Sequence, residues 1–183
     1  MGWTAANTWA ANLSYAGYND WRLPTMTDTG APGCVAFANS GTDCGYNVDT
    51  AFSEMAHMYH NNLGLKSGED ASGNFQADFG VFGNGTYNGT DTSSYGENDV
   101  GLVQNLQAYT YWSGVPYAPD PTLGAWLFLS SDGVQFISNQ NDELYAWAVR
   151  AGDVTANNTV PAPAPLWLIG SGLMALIGWR RKR

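Results

Sequence analysis

The chain has 183 residues, a formal net charge of −9 and a sequence pI of about 4.3. All sixteen acidic residues precede Val160, whereas four of the seven basic residues follow it. The part before Val160 therefore holds three basic against sixteen acidic residues, and its formal charge is −13. A charge of this sign repels nucleic acids and anionic polysaccharides, which argues against both as partners. The same part is long enough for one domain with a hydrophobic core of its own.

A first helix is predicted near the start of the chain. Apolar residues recur there at helical spacing, at Trp3, Ala6, Ala10 and Leu13, and Gly17 marks the expected stop. Residues 1–11 have neither the positively charged nor the apolar region of a signal peptide. We therefore expect the chain to begin inside its folded domain, with an export signal encoded upstream.

The only two cysteines, Cys34 and Cys44, lie in a turn-rich stretch that we predict to be a loop over residues 27–49. An export setting permits disulfide bonds, so we predict that these cysteines pair. The alternative is two unpaired thiols, because a sequence does not show whether their geometry fits a disulfide.

A second helix is predicted to begin after Asp49, whose side chain can cap it, and to end before Gly64. Its apolar stripe consists of Phe52, Met55, Ala56, Tyr59 and Leu63. The helix also contains Glu54, His57 and His60. Their i, i+3 spacing can place all three along one side of the helix, which suggests a metal site. The alternative is that they are surface or half-buried helix residues.

Oxygen-bearing side chains alternate in an acidic stretch within residues 66–99, which we predict to be mostly loop. Asp70, Asn74 and Asp78 are its candidate calcium ligands. The stretch lacks the central glycine and the closing glutamate of an EF-hand loop, so the alternative is a solvated acidic loop. Ca²⁺ is the one cofactor that the sequence suggests.

The second half of the domain is predicted to consist of strands. Residues 125–129 and 134–137 flank Asp132-Gly133, which is a strong hairpin signal, and residues 109–112 precede them as another strand. Bulky and small residues alternate over residues 145–149, which predicts a buried central strand. Helices followed by an antiparallel meander indicate an α+β domain.

Aromatic residues in these strands offer a hypothesis of carbohydrate binding. Exposed rings could form a platform for sugar rings, whereas placement in strands favours the alternative that most belong to the core; the four are Trp112, Tyr117, Trp126 and Tyr145. Signals for catalysis are weak, because Ser113 has no base nearby in sequence and neither cysteine has a nucleophilic context. We therefore predict a domain without catalytic residues.

The C-terminal segment has three parts. Prolines alternate from Val160 to Pro165, residues 166–179 are apolar or small, and the chain ends in four cations: Arg180, Arg181, Lys182 and Arg183. Fourteen helical residues span about 21 Å, against a hydrocarbon core of about 30 Å, so we predict a short membrane helix with its basic end in the cytoplasm. A buried amphipathic helix is the alternative, but apolar residues surround the segment on all sides.

This order of proline motif, short apolar helix and basic end resembles the PEP-CTERM class of bacterial sorting signals. The motif residues are Val160, Pro161 and Pro163, with Ala162 where the usual motif has glutamate. The resemblance implies processing by an exosortase-type membrane peptidase in an exopolysaccharide-producing Gram-negative bacterium. It also implies an exported protein, anchored in the inner membrane before processing and then delivered to the cell surface or extracellular matrix.

Three motifs carry a second resemblance: GYNDWRLPT at residues 17–25, YWSG at 111–114 and AWAVR at 146–150. In this order they resemble the Lcl C-terminal domain family of bacterial surface proteins, which implies a C-type lectin-like fold with two helices, a β-meander and long loops. Sulfated glycosaminoglycans, the ligands of the family's namesake, are not expected here because the domain is acidic. We assign a structural role to the motif residues Trp21, Arg22, Leu23, Pro24, Trp112, Trp147 and Arg150.

Arg22 and Arg150 are two of the domain's three cations, and each stands among tryptophan and apolar residues. We predict that each guanidinium pairs with a carboxylate or with backbone carbonyls and holds the chain start against the last strand. If these pairs are buried, removing either arginine costs about 3–5 kcal/mol.

Together, the sequence predicts a domain over residues 1–155, a linker with the sorting motif over 156–165, and a membrane helix with a basic end over 166–183. The expected function is non-catalytic interaction or adhesion. The expected partners are an exosortase-type peptidase, the inner membrane, and exopolysaccharide or surface proteins. The alternative functions are a calcium-assisted carbohydrate-binding module and the remnant of a formylglycine-generating-type enzyme.

Overall fold

A computed structural model of the chain describes residues 1–30, 34–39, 43–76, 79–80, 97–100 and 103–151. The chain divides into a unit of residues 1–150 and a unit of residues 151–183. The predicted linker over 156–165 and the predicted apolar helix over 166–183 lie outside the described residues. Among the helices that are described, none is long and apolar enough to cross a membrane.

Helix α1 spans Trp3–Ala11 and ends earlier than its apolar pattern suggested. Ala6 and Ala10 are fully buried, as the spacing predicted, because their small side chains let the helix approach the sheet closely. Leu13 lies past the end of the helix. Gly17 adopts a left-handed conformation in a turn closed by paired hydrogen bonds between Tyr15 and Tyr18.

Helix α2 spans Glu54–His57 and continues as a π-helix over Met58–Asn62. The prediction of Asp49 as its cap is wrong, because the Ser53 hydroxyl accepts the hydrogen bond from the Ala56 amide. Ser53 is held there by a second bond, which its hydroxyl donates to the side chain of Gln135 in the sheet. Phe52 therefore precedes the helix and is half exposed, in contrast to its predicted place in the stripe.

The other end of this helical segment follows the sequence prediction. Gly64 has a φ of 68° and comes directly after the C-cap residue Leu63. Met55, Ala56 and Tyr59 are buried, so the predicted apolar stripe is confirmed at these positions.

Within the described residues, the main sheet has five strands in the order β1-β6-β5-β4-β7. The strands are β1 (Gly45–Tyr46), β4 (Thr110–Pro116), β5 (Gly124–Leu129), β6 (Val134–Asn139) and β7 (Tyr145–Ala146). Strands β2 (Glu97–Val100) and β3 (Val103–Gln107) form a separate antiparallel pair. The predicted hairpin is confirmed: β5 and β6 pair antiparallel around Asp132-Gly133, where Gly133 has a φ of 70°.

The prediction of a buried central strand over residues 145–149 is wrong. Strand β7 covers only two residues, lies at the edge of the sheet and runs parallel to β4, which makes the sheet mixed. Beyond β7, the backbone of Val149 forms two hydrogen bonds with the backbone of Arg22, which does not belong to a strand of the sheet. The α+β class is confirmed, but the meander is not purely antiparallel.

The two faces of the sheet are covered by different helices. Trp112 and Leu127 pack with Ala6 and Ala10 of α1, whereas the adjacent strand residues Tyr111 and Phe128 pack on the opposite face with residues of α2 and the π-helix. This follows from the alternation of side chains along a strand. Each fully buried apolar side chain in these layers stabilises the domain by about 1.5–3 kcal/mol.

Candidate functional site

The first predicted motif is held by an ion pair between Arg22 and Glu54. The guanidinium donates to both carboxylate oxygens, at 2.6 and 2.7 Å, and the same carboxylate accepts from the Thr25 amide at 2.7 Å. Hydrogen bonds from Arg22 are the main reason that the pKa of Glu54 falls to about 2. The two side chains are 40% and 41% exposed, so the pair is not the buried one that the sequence suggested.

The second motif arginine, Arg150, pairs with Asp20. Its guanidinium donates to both carboxylate oxygens at 2.8 and 3.0 Å and lies 3.8 Å above the centre of the Tyr18 ring. Hydrogen bonding from Arg150 lowers the pKa of Asp20. The arginine side chain is 15% exposed and the carboxylate 53% exposed. Both arginines thus have the carboxylate partners that were predicted.

The remaining motif residues lie in several places. Leu23 and Pro24 are buried next to β4, where Pro24 accepts a hydrogen bond from the Gly114 amide. Trp112 is fully buried and donates its indole N–H to the carbonyl of Met1. Trp21 donates to the carbonyl of Tyr18. Trp147 lies on the other face of the sheet, against Tyr111.

The structure does not bring Glu54, His57 and His60 together as a metal site, and their side chains are exposed or half-buried, as in the alternative. Glu54 is bound by Arg22, the Nδ1 atom of His57 contacts the side-chain amide of Asn61, and Nδ1 of His60 contacts the carbonyl of Leu65. The expected alignment required an α-helix throughout, whereas a π-helix begins at Met58. Burial lowers the pKa of His60. The described ranges contain no group of three metal-ligating side chains.

A groove of about 700 Å³ lies beside the Arg22–Glu54 pair, and we call it the motif groove. It forms where residues 25–27 and 50–54 meet the side of α2 and the π-helix. The residues that line it are Thr25, Met26, Thr27, Thr50, Ala51, Phe52, Ser53, Glu54, His57, Met58, Asn62 and Val149. No sequence pattern predicted this groove, because its walls come from segments that only tertiary pairing brings together.

The predicted calcium loop is only partly described. The carboxylate of Asp70 accepts hydrogen bonds from the amide and the side chain of Asn74 and from the amide of Ser72, which lowers the pKa of Asp70. These bonds close a turn in which Asp70 is half-buried and Ser72 and Asn74 are exposed. Asp78, the third candidate ligand, lies outside the described residues. Calcium binding therefore stays a prediction.

The predicted disulfide between Cys34 and Cys44 is confirmed, with a distance of 5.6 Å between the Cα atoms. Cys44 comes directly before β1, so the disulfide fixes the loop of residues 34–39 at one edge of the sheet. The serine considered as a nucleophile, Ser113, is buried, and its hydroxyl accepts a hydrogen bond from the Val115 amide.

Most of the four aromatic residues considered for a sugar platform belong to the core, which is the alternative that the sequence favoured. Trp112, Tyr117 and Trp126 are buried, because they belong to strand positions or turns that face the helices and loops. Trp126 also uses its indole N–H to bind Asp28. Among the four predicted platform residues, Tyr145 alone is exposed, at 46%.

Tyr145 belongs to a different aromatic cluster, at the open edge of β7. Its ring lies 5.7 Å from Tyr109 and 5.6 Å from Tyr111, and Tyr111 lies 5.9 Å from Trp147. A groove of about 360 Å³, which we call the edge groove, is lined by Val103, Leu106, Gln107, Tyr111, Tyr145, Ala146 and Trp147. The sequence showed these aromatic residues, but which of them share a surface depends on the parallel pairing of β7 with β4.

Comparison with known proteins identifies the tail. A family model described as the PEP-CTERM protein-sorting motif matches residues 159–183, which include Val160, Pro161, Pro163 and the four terminal cations. These sorting residues lie outside the described residues. No curated protein and no solved structure matches the chain. The motif indicates an exported protein of Gram-negative bacteria that is anchored in the membrane and then processed by an exosortase-type system.

Proposed function

We propose that this chain is a surface or matrix protein whose domain of residues 1–150 is a non-catalytic interaction module. The observation that carries the proposal is the PEP-CTERM motif at residues 159–183, which follows a strongly acidic, disulfide-containing domain. A sorting tail of this kind delivers a folded domain outside the cytoplasm, where binding to the matrix or to other surface proteins is the simplest use of that domain.

The bonding of the reactive side chains supports a role without catalysis. His57 and His60 are engaged with Asn61 and Leu65, and Glu54 is neutralised by Arg22. General acid–base catalysis needs a titrating group within reach of a substrate proton. The motif groove contains His57 and Glu54, but the carboxylate there already has a bidentate partner.

We further propose that the domain is a member of the Lcl C-terminal family with a C-type lectin-like fold. What supports this is that the WRLPT and AVR segments, which carry the resemblance, are paired with each other through Arg22 and Val149. The family assignment predicts that a homologue with the three motifs has the same Arg22-type backbone bridge.

The sorting role is tested by expressing the full chain behind a cleavable signal peptide in a Gram-negative host. Two isogenic strains are needed, one with its exosortase and one without it. We expect a smaller, surface-exposed form in the first strain and an unprocessed, inner-membrane form in the second, measured by fractionation and intact mass. Replacing Pro161 and Pro163 by alanine, or residues 180–183 by glutamine, is expected to give the unprocessed form in both strains.

Lys66→Gln serves as the matched control, because it removes a cation from the domain and leaves the tail intact. The interaction role is tested in the same strains by comparing retention of the processed protein in the extracellular matrix with and without polysaccharide synthesis and surface proteins. Equal mass and distribution in the two exosortase strains would refute sorting by this route. Release of the processed protein into the medium in every background would refute the interaction role.

A further inference from the structure

We propose that the edge groove binds a neutral glycan by stacking sugar rings on Tyr145, which lines the groove, and on Tyr109, whose ring lies 5.7 Å from Tyr145. This inference rests on the proposed function, since it names the ligand class of a surface interaction module. It concerns a different surface from the predicted platform, whose tryptophans are buried in the core. The arguments come from the exposure of the rings, the charge of the groove and the polar groups at its rim.

The first argument is that the aromatic rings of Tyr109 and Tyr145 are exposed to solvent. Tyr109 is 53% exposed and Tyr145 is 46% exposed, and their rings meet edge to face at an interplanar angle of 83°. The ring of Tyr145 packs at 5.6 Å against Tyr111, which itself packs at 5.9 Å against Trp147, so its orientation is restrained before any ligand arrives. The faces of aromatic rings are electron-rich and attract the C–H groups of a pyranose. A preorganised ring also loses little conformational entropy on binding.

The second argument is charge. None of the described residues that line the edge groove is charged, although the domain as a whole has a formal charge of −13. The surrounding field repels polyanions, whereas an uncharged groove has no desolvation penalty from buried charge. This combination selects a neutral glycan over a uronic acid polymer or a sulfated one.

The third argument is the supply of unused hydrogen-bonding groups. Within the described part of the chain, the hydroxyls of Tyr109 and Tyr145 and the indole N–H of Trp147 have no hydrogen-bond partner. The hydroxyl of Tyr111, by contrast, is bound to the backbone of Gln107 on both its donor and acceptor sides. Apolar rings with a few unpaired polar groups at the rim are the composition that sugar hydroxyls and ring faces require.

The size and position of the groove agree with a segment of a longer polymer. Its volume of about 360 Å³ is at the small end of the range of about 300–1,000 Å³ for small-molecule sites. Among the described residues no strand pairs with the outer side of β7, so the chain of a polysaccharide can continue past the groove along this edge. The site therefore suits an internal sugar unit of a polymer.

The test uses the full chain in detergent micelles on an array of neutral oligosaccharides, namely glucans, mannans and galactans, with alginate and hyaluronan as charged comparisons. Binding to the best neutral hexasaccharide is then measured by titration calorimetry. We expect neutral glycans to bind and the anionic ones not to bind. Tyr145→Ala and Tyr109→Ala are each expected to weaken binding about tenfold.

Two further variants separate stacking from general damage. Tyr145→Phe keeps the ring and should bind within about threefold of the parent. Tyr15→Ala removes another exposed tyrosine, 66% exposed and outside the groove, and should leave binding unchanged. All variants should retain the near-UV circular dichroism of the parent.

The proposal is overturned if no neutral glycan binds at millimolar concentration, if anionic glycans bind better, or if Tyr109→Ala and Tyr145→Ala bind as the parent does. The exosortase and matrix-retention experiments are independent of these variants. If processing and retention occur while glycan binding fails, the interaction module remains and the ligand of the edge groove is wrong.

Discussion

The two edges of the five-stranded sheet are protected in different ways. The edge strands, β1 and β7, have only two residues each. Short edge strands leave little unpaired backbone to which another chain could bind. The β1 edge is fixed covalently by Cys34–Cys44, and the side chain of Gln135 bonds to Ser53 and to the carbonyl of Asp43. The β7 edge is followed instead by the Arg22–Val149 bridge and an ion pair, and it carries the edge groove.

Because one edge is held by a covalent bond and the other by an ion pair, the two edges should respond differently to pH and salt. A disulfide stabilises mainly by restricting the unfolded chain, so its contribution does not depend on pH or salt while the bond stays oxidised. Ion pairs that are partly exposed lose strength as salt rises or as the carboxylate is protonated. The β1 edge is therefore the rigid one, and the β7 edge is the one whose stability the environment can change.

The largest expected effect comes from removing the disulfide. The sequence separation of 10 residues predicts a loss of about 3 kcal/mol, or a fall in melting temperature of about 6–12 °C, in the Cys34→Ser, Cys44→Ser double variant. Thermal unfolding monitored by circular dichroism measures it. Reduction of the parent should lower its melting temperature by the same amount and leave the double variant unchanged. A double variant as stable as the oxidised parent would contradict the covalent role of this edge.

A smaller effect is expected from the pair beside the β7 edge. Because both side chains are about two-fifths exposed, Glu54→Gln should cost about 1 kcal/mol, well below the 3–5 kcal/mol expected of a buried pair. Glu143→Gln, which removes an exposed carboxylate elsewhere, is the matched control and should have no measurable effect. A double-mutant cycle with Arg22→Ala isolates the interaction between the two side chains.

The same pair gives a pH signature. The pKa of Glu54 is lowered from its ordinary 4.5 to about 2 in the folded chain, so the unfolded chain binds a proton first as the pH falls. The stabilisation by Glu54 is therefore complete above about pH 4.5 and is lost as the pH falls towards about 2. The difference in melting temperature between parent and Glu54→Gln should shrink over that range. Titration of His60 cancels in this comparison, since both chains retain it.

The smallest expected effect comes from Asp20 and Arg150. The carboxylate is half exposed, so we expect Asp20→Asn to change the melting temperature by no more than about 2 °C. The local effect should be clearer, because the pair adjoins the backbone bridge of Arg22 and Val149. Hydrogen exchange should show faster exchange of these two amides in Asp20→Asn than in the parent, with unchanged exchange at Gln135. Equal exchange rates at all three would show that the pair does not hold this edge.

Several parts of the fold could be predicted because a local rule decided them. Asp132-Gly133 predicted the β5–β6 hairpin, since the tight turn between two antiparallel strands needs a residue that tolerates positive φ. Ala6 and Ala10 gave the buried face of α1, and Gly64 the end of the helical segment. Where two local signals competed, tertiary contacts decided. Asp49 and Ser53 are both good caps, and the bond from Ser53 to Gln135 selects the latter.

The candidate site was less predictable for the same reason. Tyr109, Trp112, Trp126 and Tyr145 all read as strand residues, and a sequence does not show which face of a strand a helix will cover. The order of strands placed Trp112 beneath α1 and left Tyr145 at an open edge. The motif groove had no sequence signal, because its two walls meet through long-range contacts, which include the backbone pairing of Met26 with Ser53 and the bond from the Thr25 amide to Glu54.

From the amino-acid sequence alone, the α+β class and the sorting tail at residues 159–183 could be inferred, and the Cys34–Cys44 disulfide and a polar partner for each scarce arginine were favoured. These follow from composition, local turn chemistry and a linear motif, all of which are carried by neighbouring residues. Only the tertiary structure decided which carboxylate each arginine meets, how exposed the pairs are, and which aromatic rings reach the surface. Those properties depend on contacts between residues as far apart as Asp20 and Arg150, and burial is set by the whole packing arrangement.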